Sequence, residues 1–312
     1  MSKVTDILSG KEKDAGKSVD AHEHERRAMV DLPSPGRMSA QDINRTPVLE
    51  CRHLGIDFGG LHAVEDFSVI MGHSEIAGLI GPNGAGKTTV FNLLTKVYQP
   101  TRGSILLDGV DTAGMSTARV SQEGIARTFQ NIRLFSSLTV EENVQIGLHD
   151  TIPCGMWASI ARLPKFYISE KEFHDRALEL LDFFGMADSA GDVAGSLPYG
   201  AQRRLEIVRA LATNPKLLLL DEPAAGMNPS ETAELMDNIQ HIRNTFDIAI
   251  LLIEHDMDLV MNVCEAIAVL NYGKIIAKGT PEEIKSDPQV IEAYLGRQED
   301  EQGGARDGIA QG

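Results

Sequence analysis

Residues 81–89 of this chain read GPNGAGKTT, and they decide its fold. The stretch fulfils the pattern G-x-x-x-x-G-K-[ST], in which a glycine-rich turn leads from a strand into a helix. Both flanks agree, because the apolar run EIAGLIG (75–81) precedes it and the periodic run TVFNLLTKV (89–97) follows it. The motif and its flanks together predict a phosphate-binding loop in an α/β fold.

The residue types of this loop suit the grip on a triphosphate. Glycines let the backbone curl so that successive N–H groups converge on one point, and the helix start adds partial positive charge there. Lys87 brings a full charge to the outer phosphates, Thr88 offers a hydroxyl to Mg²⁺, and Thr89 is placed to contact a phosphate. We therefore expect a nucleoside triphosphate to bind with Mg²⁺. The predicted binding residues are Gly81, Pro82, Asn83, Gly84, Ala85, Gly86, Lys87, Thr88 and Thr89.

An acidic pair ends the apolar run KLLLLDEP (216–223). Asp221 is expected at the carboxyl end of a buried strand, where a carboxylate can hold Mg²⁺ through water, since that ion takes few protein ligands. Glu222 follows and points elsewhere, so it is placed to orient or deprotonate an attacking water. Such a pair can also simply begin a loop, but the complete phosphate loop upstream favours the catalytic interpretation.

Composition excludes several classes of function. The formal net charge of −16 repels a nucleic-acid backbone, so no nucleic-acid partner is expected. The 3 cysteines are scattered without metal-ligand spacing, which favours reduced thiols. No apolar run approaches the roughly 20 residues that cross a bilayer, and the N-terminal segment has no signal-peptide core.

The distribution of apolar residues predicts one domain between two tails. Residues 1–47 and 297–312 are polar and charged without periodicity, which is typical of disordered segments. Residues 48–296 alternate strand-like and helix-like runs, which indicates a buried sheet covered by helices. A helix is predicted over 90–98, and the middle of the domain, with a helical subdomain at about 131–215, is predicted to be mostly helical.

The order of five motifs resembles that of the ATP-binding subunits of ABC transporters. The motifs are GPNGAGKTT, RTFQNIRLF, LPYGAQRRLEI, LLLLDEPAAGMNP and LLIEHDM, and the resemblance covers about residues 48–296. The runs LPYGAQRRLEIVRALATNPKLLLLDEPAAGMNPSET and GTPEEIKSDPQVIEAYLG look most like the ATPase of branched-chain amino acid importers. The resemblance implies an α/β P-loop ATPase with a mostly parallel core sheet, an antiparallel β subdomain and a helical subdomain insertion.

The resemblance also implies roles that spacing alone does not mark. Phe58 is similar to the aromatic residue on which adenine stacks, although a phenylalanine at a strand end is also an ordinary core residue. Gln130 resembles the glutamine that senses Mg²⁺ and the attacking water and links the catalytic core to the helical subdomain. His255 resembles the switch histidine that reaches the γ-phosphate, and Asn228 occupies a dimer-contact loop in which aspartate is commoner. The implied catalytic residues are Glu222, His255 and Gln130, and the implied Mg²⁺ ligands are Thr88, Gln130 and Asp221.

One motif departs from the family pattern. In this family two subunits enclose two ATP molecules between them, and each site combines the phosphate-binding loop of one chain with a signature turn of the other. The usual turn is Leu-Ser-Gly-Gly-Gln; here it consists of Leu197, Pro198, Tyr199, Gly200 and Ala201. Pro198 offers neither a hydroxyl nor an N–H. If such a hydrogen bond to a phosphate stabilises the transition state, its loss slows hydrolysis roughly ten- to 150-fold.

The missing hydrogen bond affects only the ATP site to which this chain contributes its signature turn. Amides at the start of the predicted helix 200–213 still favour an anion through the helix dipole. The chain's own ATP site is complete, because Lys87, Glu222 and His255 are all present. We expect hydrolysis at that site, with the signature supplied by a related but different subunit.

The function implied is that of an importer ATPase, in which ATP binding closes the dimer and hydrolysis resets it. The expected partners are a second ABC ATPase subunit in a hetero-dimer, transmembrane permeases gripped around Gln130 and 131–144, and indirectly a substrate-binding protein. The expected location is the cytoplasmic face of the inner membrane. Three alternatives stay open: an importer of urea, amides or other small polar solutes; a soluble ABC protein of translation or DNA repair; and a non-hydrolysing regulatory module.

Overall fold

The computed structural model describes Met38, residues 45–149 and residues 164–294, with side chains of the helix after the gap described from residue 171. The predicted tails 1–47 and 297–312 lie outside the described residues, apart from Met38 and 45–47.

The described residues form ten strands and eight named helices. The strands are β1 (Leu49–Phe58), β2 (Leu61–Met71), β3 (Ile76–Ile80), β4 (Arg102–Leu107), β5 (Val110–Asp111), β6 (Ile125–Arg127), β7 (Leu217–Asp221), β8 (Ala249–Ile253), β9 (Ala266–Asn271) and β10 (Lys274–Gly279). The helices are α1 (Lys87–Leu94), α2 (Thr117–Glu123), α3 (Val140–Leu148), α4 (Pro164–Phe183), α5 (Tyr199–Ala212), α6 (Pro229–Phe246), α7 (Met257–Val263) and α8 (Pro281–Ser286). Residues 288–294 are also helical.

The chain divides into two compact units. The first, called here the cradle unit, contains the described residues of 36–120, 219–222 and 249–294. The second, called the turn unit, contains the described residues of 121–218 and 223–248. Strand β7 begins in the turn unit and ends in the cradle unit.

The cradle unit is built on a mixed sheet. Its strands follow the order β5-β4-β1-β2-β10-β9-β3-β8, and the last residues of β7 come next. Strands β1, β2, β4 and β5 pair antiparallel, whereas β3 runs parallel to both β8 and β9. This arrangement confirms the α/β fold and its division into antiparallel and parallel strands.

The parallel strands decide where the functional loops lie. Strands β3, β7 and β8 are buried at every position, which explains their unbroken apolar sequences. Parallel neighbours end at the same edge of a sheet, and ligands bind there in open α/β folds. Strands β3 and β8 are in register, with Leu79 opposite Ile253, so the loops that follow them start side by side.

The turn unit is mainly helical, with one short strand. Strand β6 lies beside the first half of β7, where the Gly124 carbonyl accepts from the amides of Lys216 and Leu217. Helices α3 and α5 approach closely at Gly147, because a Cβ there would lie 2.4 Å from the carbonyl oxygen of Arg209. The glycine therefore sets the distance between these two helices.

Two secondary-structure predictions were wrong in detail. The helix predicted over 90–98 ends at Leu94, because the Thr95 hydroxyl bonds back to the Phe91 carbonyl and Lys96 takes a left-handed conformation. Strand β6 was not predicted, since its three residues are too few to show a period. Helix α8 begins with a capping box, in which the Thr280 hydroxyl accepts from the Glu283 amide and the Glu283 carboxylate accepts from the Thr280 amide.

Candidate active site

The phosphate loop between β3 and α1 is fixed by close backbone contacts. Gly81 has φ +153°, and a Cβ there would lie 2.0 Å from the carbonyl oxygen of Leu270. Gly86 has φ +107°, and a Cβ there would lie 2.6 Å from the carbonyl oxygen of Ala63. Side chains are therefore excluded at both ends of the loop, and only glycine allows this curl.

The start of α1 brings a buried lysine beside backbone amides that have no acceptor within the helix. Helix α1 begins at Lys87 with no side-chain cap from Gly86, and the first amides of a helix have no acceptor within it. Lys87 is only 8% exposed, and its ammonium donates to the carbonyls of Gly81 at 2.6 Å and Pro82 at 3.1 Å. Thr88 lies exposed on the first turn of α1. Convergent amides beside a cation form a site for an anion such as a phosphate group.

A tyrosine that sequence reasoning missed lies against the same loop. Tyr294 ends the described helical residues 288–294, and its hydroxyl oxygen is buried. Burial raises the pKa of this phenol, and the nearby Gly81 backbone opposes that rise. No sequence signal marks this contact, because more than 200 positions separate the two residues.

The acidic pair lies at the carboxyl end of β7. Asp221 is buried as the last residue of the strand. Glu222 takes a left-handed conformation with φ +47°, and its amide donates to the Ile253 carbonyl at 2.8 Å. A left-handed glutamate is a strained backbone that surrounding structure must hold, and such strain concentrates at functional sites. Asp221 is buried, whereas the Glu222 side chain is 22% exposed.

The structure brings Glu222 and His255 together. The Nδ1 atom of His255 lies 3.9 Å from Glu222 Oε2 and 3.9 Å from Glu254 Oε2. The imidazole is 65% exposed, so it remains accessible to a ligand. Glu254, which sequence reasoning did not single out, is buried and accepts from the His255 amide at 3.1 Å.

Phe58 lies on the surface and not in the core. Its residue is 42% exposed at the end of β1, and its ring meets that of Tyr98 edge-on, with centroids 5.2 Å apart. The exposed ring favours the stacking interpretation over that of an ordinary core phenylalanine. Tyr98, which follows α1, was missed because an isolated tyrosine in a loop carries no pattern.

The oxygen donors of the cradle unit suit Mg²⁺. The Thr88 hydroxyl and the Asp221 carboxylate are hard ligands, and Mg²⁺ uses one or two such protein groups together with phosphates and water. Among the described residues no group of three or more His, Cys, Asp or Glu forms a metal cage. The Thr88 hydroxyl and the Asp221 carboxylate therefore fit an Mg²⁺ ion that is bound together with phosphates.

In the turn unit, a buried ion pair holds the segment of Gln130. Arg203 is 0% exposed, and its guanidinium donates to the carbonyls of Phe129 at 2.6 Å and Gln130 at 2.9 Å. It also pairs with Glu206 at 2.9 Å, and Glu206 in turn accepts from the Arg133 amide at 3.2 Å. Sequence reasoning missed both residues. Their signal is a pair of opposite charges at i, i+3 on the inward face of α5.

The segment after Gln130 presents an aromatic surface. Arg133 lies over the Phe129 ring at 4.2 Å, and Phe135 is half exposed beside α3. The buried Asn143 amide bonds both the N–H and the carbonyl of Phe135, at 3.0 and 3.1 Å. The region predicted to grip a permease is therefore a structured surface.

The signature turn leads directly into α5. Pro198 is the N-cap residue with φ −55° and ψ 151°, it provides no side-chain cap, and the helix begins at Tyr199, one residue earlier than predicted. A Cβ at Gly200 would lie 2.7 Å from Glu231 Oε1. The glycine thus lets the start of α5 approach the start of α6.

Asn228 has a structural role in this chain. Its Oδ1 accepts from the amides of Ser230 and Glu231, each at 3.0 Å, and the Glu231 carboxylate accepts from the Asn228 amide at 2.9 Å. This capping box starts α6. Asparagine and aspartate are equally good caps, so the change from the commoner aspartate keeps the helix start.

The predicted site residues thus fall into two groups. The cradle unit holds Phe58, the phosphate loop, Asp221, Glu222 and His255, whereas the turn unit holds Gln130, residues 197–201 and Asn228. In the part of the chain that the structure describes, no helix is both long and apolar enough to cross a bilayer.

Comparisons with known proteins find similar sequences and structures. A family model described as ABC transporter matches residues 64–225, and one described as Branched-chain amino acid ATP-binding cassette transporter matches 274–300. The chain is 46% identical over 250 residues to the high-affinity branched-chain amino acid transport ATP-binding protein LivG of Escherichia coli K12, covering 80% of this chain and 98% of LivG. It is 45% identical to BraF, named likewise, of Pseudomonas aeruginosa, with the same coverage. A crystal structure of the ADP conformation of an ATP-binding cassette of an ABC transporter is similar, with a TM-score of 0.70, 30% identity, and coverage of 80% of this chain and 99% of that one.

Proposed function

The chain belongs to the ABC transporter family, and from that premise we propose that it is the ATP-hydrolysing subunit of an importer for branched-chain amino acids. It is an ATPase whose activity is coupled to transport. One observation supports its catalytic competence most strongly. Glu222 and His255 lie 3.9 Å apart in the unit that also carries a complete phosphate loop.

Residues of the cradle unit account for binding and proton transfer. The loop amides and the Lys87 ammonium bind the outer phosphates of ATP, and the exposed Phe58 ring stacks on adenine. Glu222 orients the attacking water and accepts its proton, and His255 contacts the γ-phosphate. Thr88 and Asp221 would hold Mg²⁺, which neutralises charge on the phosphates when bound, and Gln130 of the turn unit is a further candidate ligand.

Several residue contacts favour this assignment of roles. Asp221 is buried and Glu222 is partly exposed, as expected for a metal carboxylate and a base that meets water. The imidazole of His255 is exposed, so it can turn to a phosphate that is not part of the protein. Each role remains a proposal for its residue.

Similarity along the chain supports the transported solute. LivG and BraF are branched-chain amino acid transport ATP-binding proteins, and the second family model names the same solutes at 274–300. An ATPase subunit does not touch the solute, so no side chain here encodes it. Urea and amides are therefore the competing solutes to be tested in uptake assays.

The signature turn supports a hetero-dimer of ATPase subunits. Pro198 cannot donate to a phosphate, whereas the chain's own cradle keeps all its polar groups. A second, related subunit would supply its signature turn to the ATP held at Lys87. The permease would dock on the aromatic surface around Phe135, and a substrate-binding protein would deliver the solute to the permease. The assembly places this chain on the cytoplasmic face of the inner membrane.

The test is phosphate release by the assembled transporter. Glu222→Gln keeps the shape of the side chain and removes its basicity, so turnover should fall roughly 10²- to 10⁴-fold while Mg-ATP still binds. The matched control is Glu282→Gln, the same change at an exposed position on α8, which should keep full turnover. Full turnover by Glu222→Gln would overturn the assignment of the base. Uptake of leucine and not of urea by the same vesicles tests the solute.

A further inference from the structure

Tyr199 stands where the usual signature turn has a glycine, and its side chain reaches out of the turn. The hydroxyl donates to the carbonyl of Ala225 at 2.9 Å. The ring lies over Gly226, where an added Cβ would be 3.4 to 3.6 Å from its Cε1, Cζ and Oη atoms. Gly226 itself has φ +78°, so the loop turns sharply under the ring. Both contacts lie within the turn unit.

The loop that Tyr199 contacts follows the proposed catalytic base along the chain. Residues 223–228 connect Glu222 to the N-cap of α6. The loop therefore has two fixed ends, and Tyr199 contacts it between them. A glycine at position 199 would make neither contact.

The turn, the loop and α6 also surround a cavity. A cavity of about 130 Å³ lies between them, lined by Pro198, Ala201, Met227 and Leu235 among others. Beyond the cavity, α5 and α6 meet through the Arg204–Glu234 ion pair and through the close approach of Gly200 to Glu231. The tyrosine bond therefore restrains Ala225, and the tyrosine ring packs over Gly226.

We propose that Tyr199 is a positioning residue that ties loop 223–228 to the signature turn, so that both move together when the turn engages ATP. The inference rests on the proposed function, in which this turn serves the nucleotide of a second subunit. Pro198 leaves the turn without the usual hydroxyl, and Tyr199 gives it a link to the loop after the base. Movement of the turn on nucleotide is then transmitted to residues directly after Glu222.

The experiment compares Tyr199→Phe with wild type in two settings. In the isolated full chain, the amides of a peptide covering 223–228 should exchange hydrogen about two- to tenfold faster. The variant loses one neutral hydrogen bond, whose contribution to stability corresponds to that factor. In the assembled transporter, kcat should fall by about two- to tenfold with KM for ATP unchanged. Tyr272→Phe is the matched control, since it removes a hydroxyl from an exposed ring of the cradle unit. It should change neither quantity.

Each other result overturns the inference. Unchanged exchange at 223–228 would mean that the tyrosine bond does not restrain the loop. Faster exchange with unchanged kcat would mean that the restraint does not serve turnover. A raised KM with unchanged kcat would mean that Tyr199 meets the nucleotide directly. Failure of the proposed function is a separate result, because a wild-type assembly without ATPase activity leaves the exchange measurement on the isolated chain intact.

Discussion

The cradle unit and the turn unit hold their functional loops by opposite means. In the cradle unit, backbone meets backbone: Gly81 and Gly86 lie against carbonyl oxygens that leave no room for a side chain. In the turn unit, side chains bridge the loops: Arg203 holds the carbonyls of Phe129 and Gln130, and Tyr199 holds that of Ala225. Close backbone contacts give the phosphate loop a fixed shape, which suits a ligand of constant shape such as phosphate. Side-chain bonds between loops allow those loops to shift together, which suits a contact surface that moves.

The largest effect is expected from filling the backbone contact at Gly81. Gly81→Ala places a methyl group 2.0 Å from the Leu270 carbonyl oxygen, and neither backbone can yield without disturbing β9. We expect a loss of about 5 kcal/mol in the free energy of unfolding, together with loss of nucleotide binding. Denaturant unfolding followed by circular dichroism measures the change.

Gly84→Ala is the matched control in the same loop. Gly84 has φ +77° but no atom within 4 Å of an added Cβ, so only backbone strain of about 1 to 2 kcal/mol is expected. Equal losses for the two variants would show that conformation alone, and not close backbone contact, fixes the loop.

A somewhat smaller effect is expected from Arg203 in the turn unit. Arg203→Met leaves the Glu206 carboxylate and two carbonyls buried without their donor, which costs about 3 kcal/mol or more of unfolding free energy. Arg204→Met, the same change one residue along α5, breaks only a partly exposed pair with Glu234 and should cost about 1 kcal/mol or less. Similar losses at the two positions would contradict a special role for the buried pair.

The smallest effect on stability is expected at Pro198. In Pro198→Ser the hydroxyl can cap the helix, which stabilises the folded chain by about 1 kcal/mol. Loss of the proline ring raises the conformational entropy of the unfolded chain, which destabilises the fold by about the same amount. The free energy of unfolding should therefore change by less than about 0.5 kcal/mol. Turnover of the assembled transporter should rise by up to about tenfold, because the new hydroxyl can bond the partner's ATP. A large change in the melting temperature would show that the turn depends on proline for its shape.

The difference between the units also explains what the sequence could predict. Lys87, Asp221 and Glu222 belong to motifs whose spacing reports a fixed backbone, so their chemistry follows from the residue order. Strands β3 and β7 were equally clear, because burial on both faces requires unbroken apolar runs.

What could not be predicted depends on long-range side-chain contacts. The contact of Tyr294 with the Gly81 backbone and the bond of Tyr199 to Ala225 join residues far apart in the chain. Arg203 and Arg204 are adjacent arginines, and only the packing of α5 buries the first completely and leaves the second partly exposed. The domain bounds 48–296 and 131–215, and the individual roles of the site residues, stay predictions.

The central claim is that the loop at Lys87 binds the phosphates of ATP, and calorimetry on the purified chain in magnesium buffer tests it most directly. We predict that one Mg-ATP binds per chain, that Lys87→Ala weakens binding about 100-fold, and that the exposed-site control Lys285→Ala leaves it unchanged. Absence of binding to the folded wild-type chain, or equal binding by Lys87→Ala, would contradict the account.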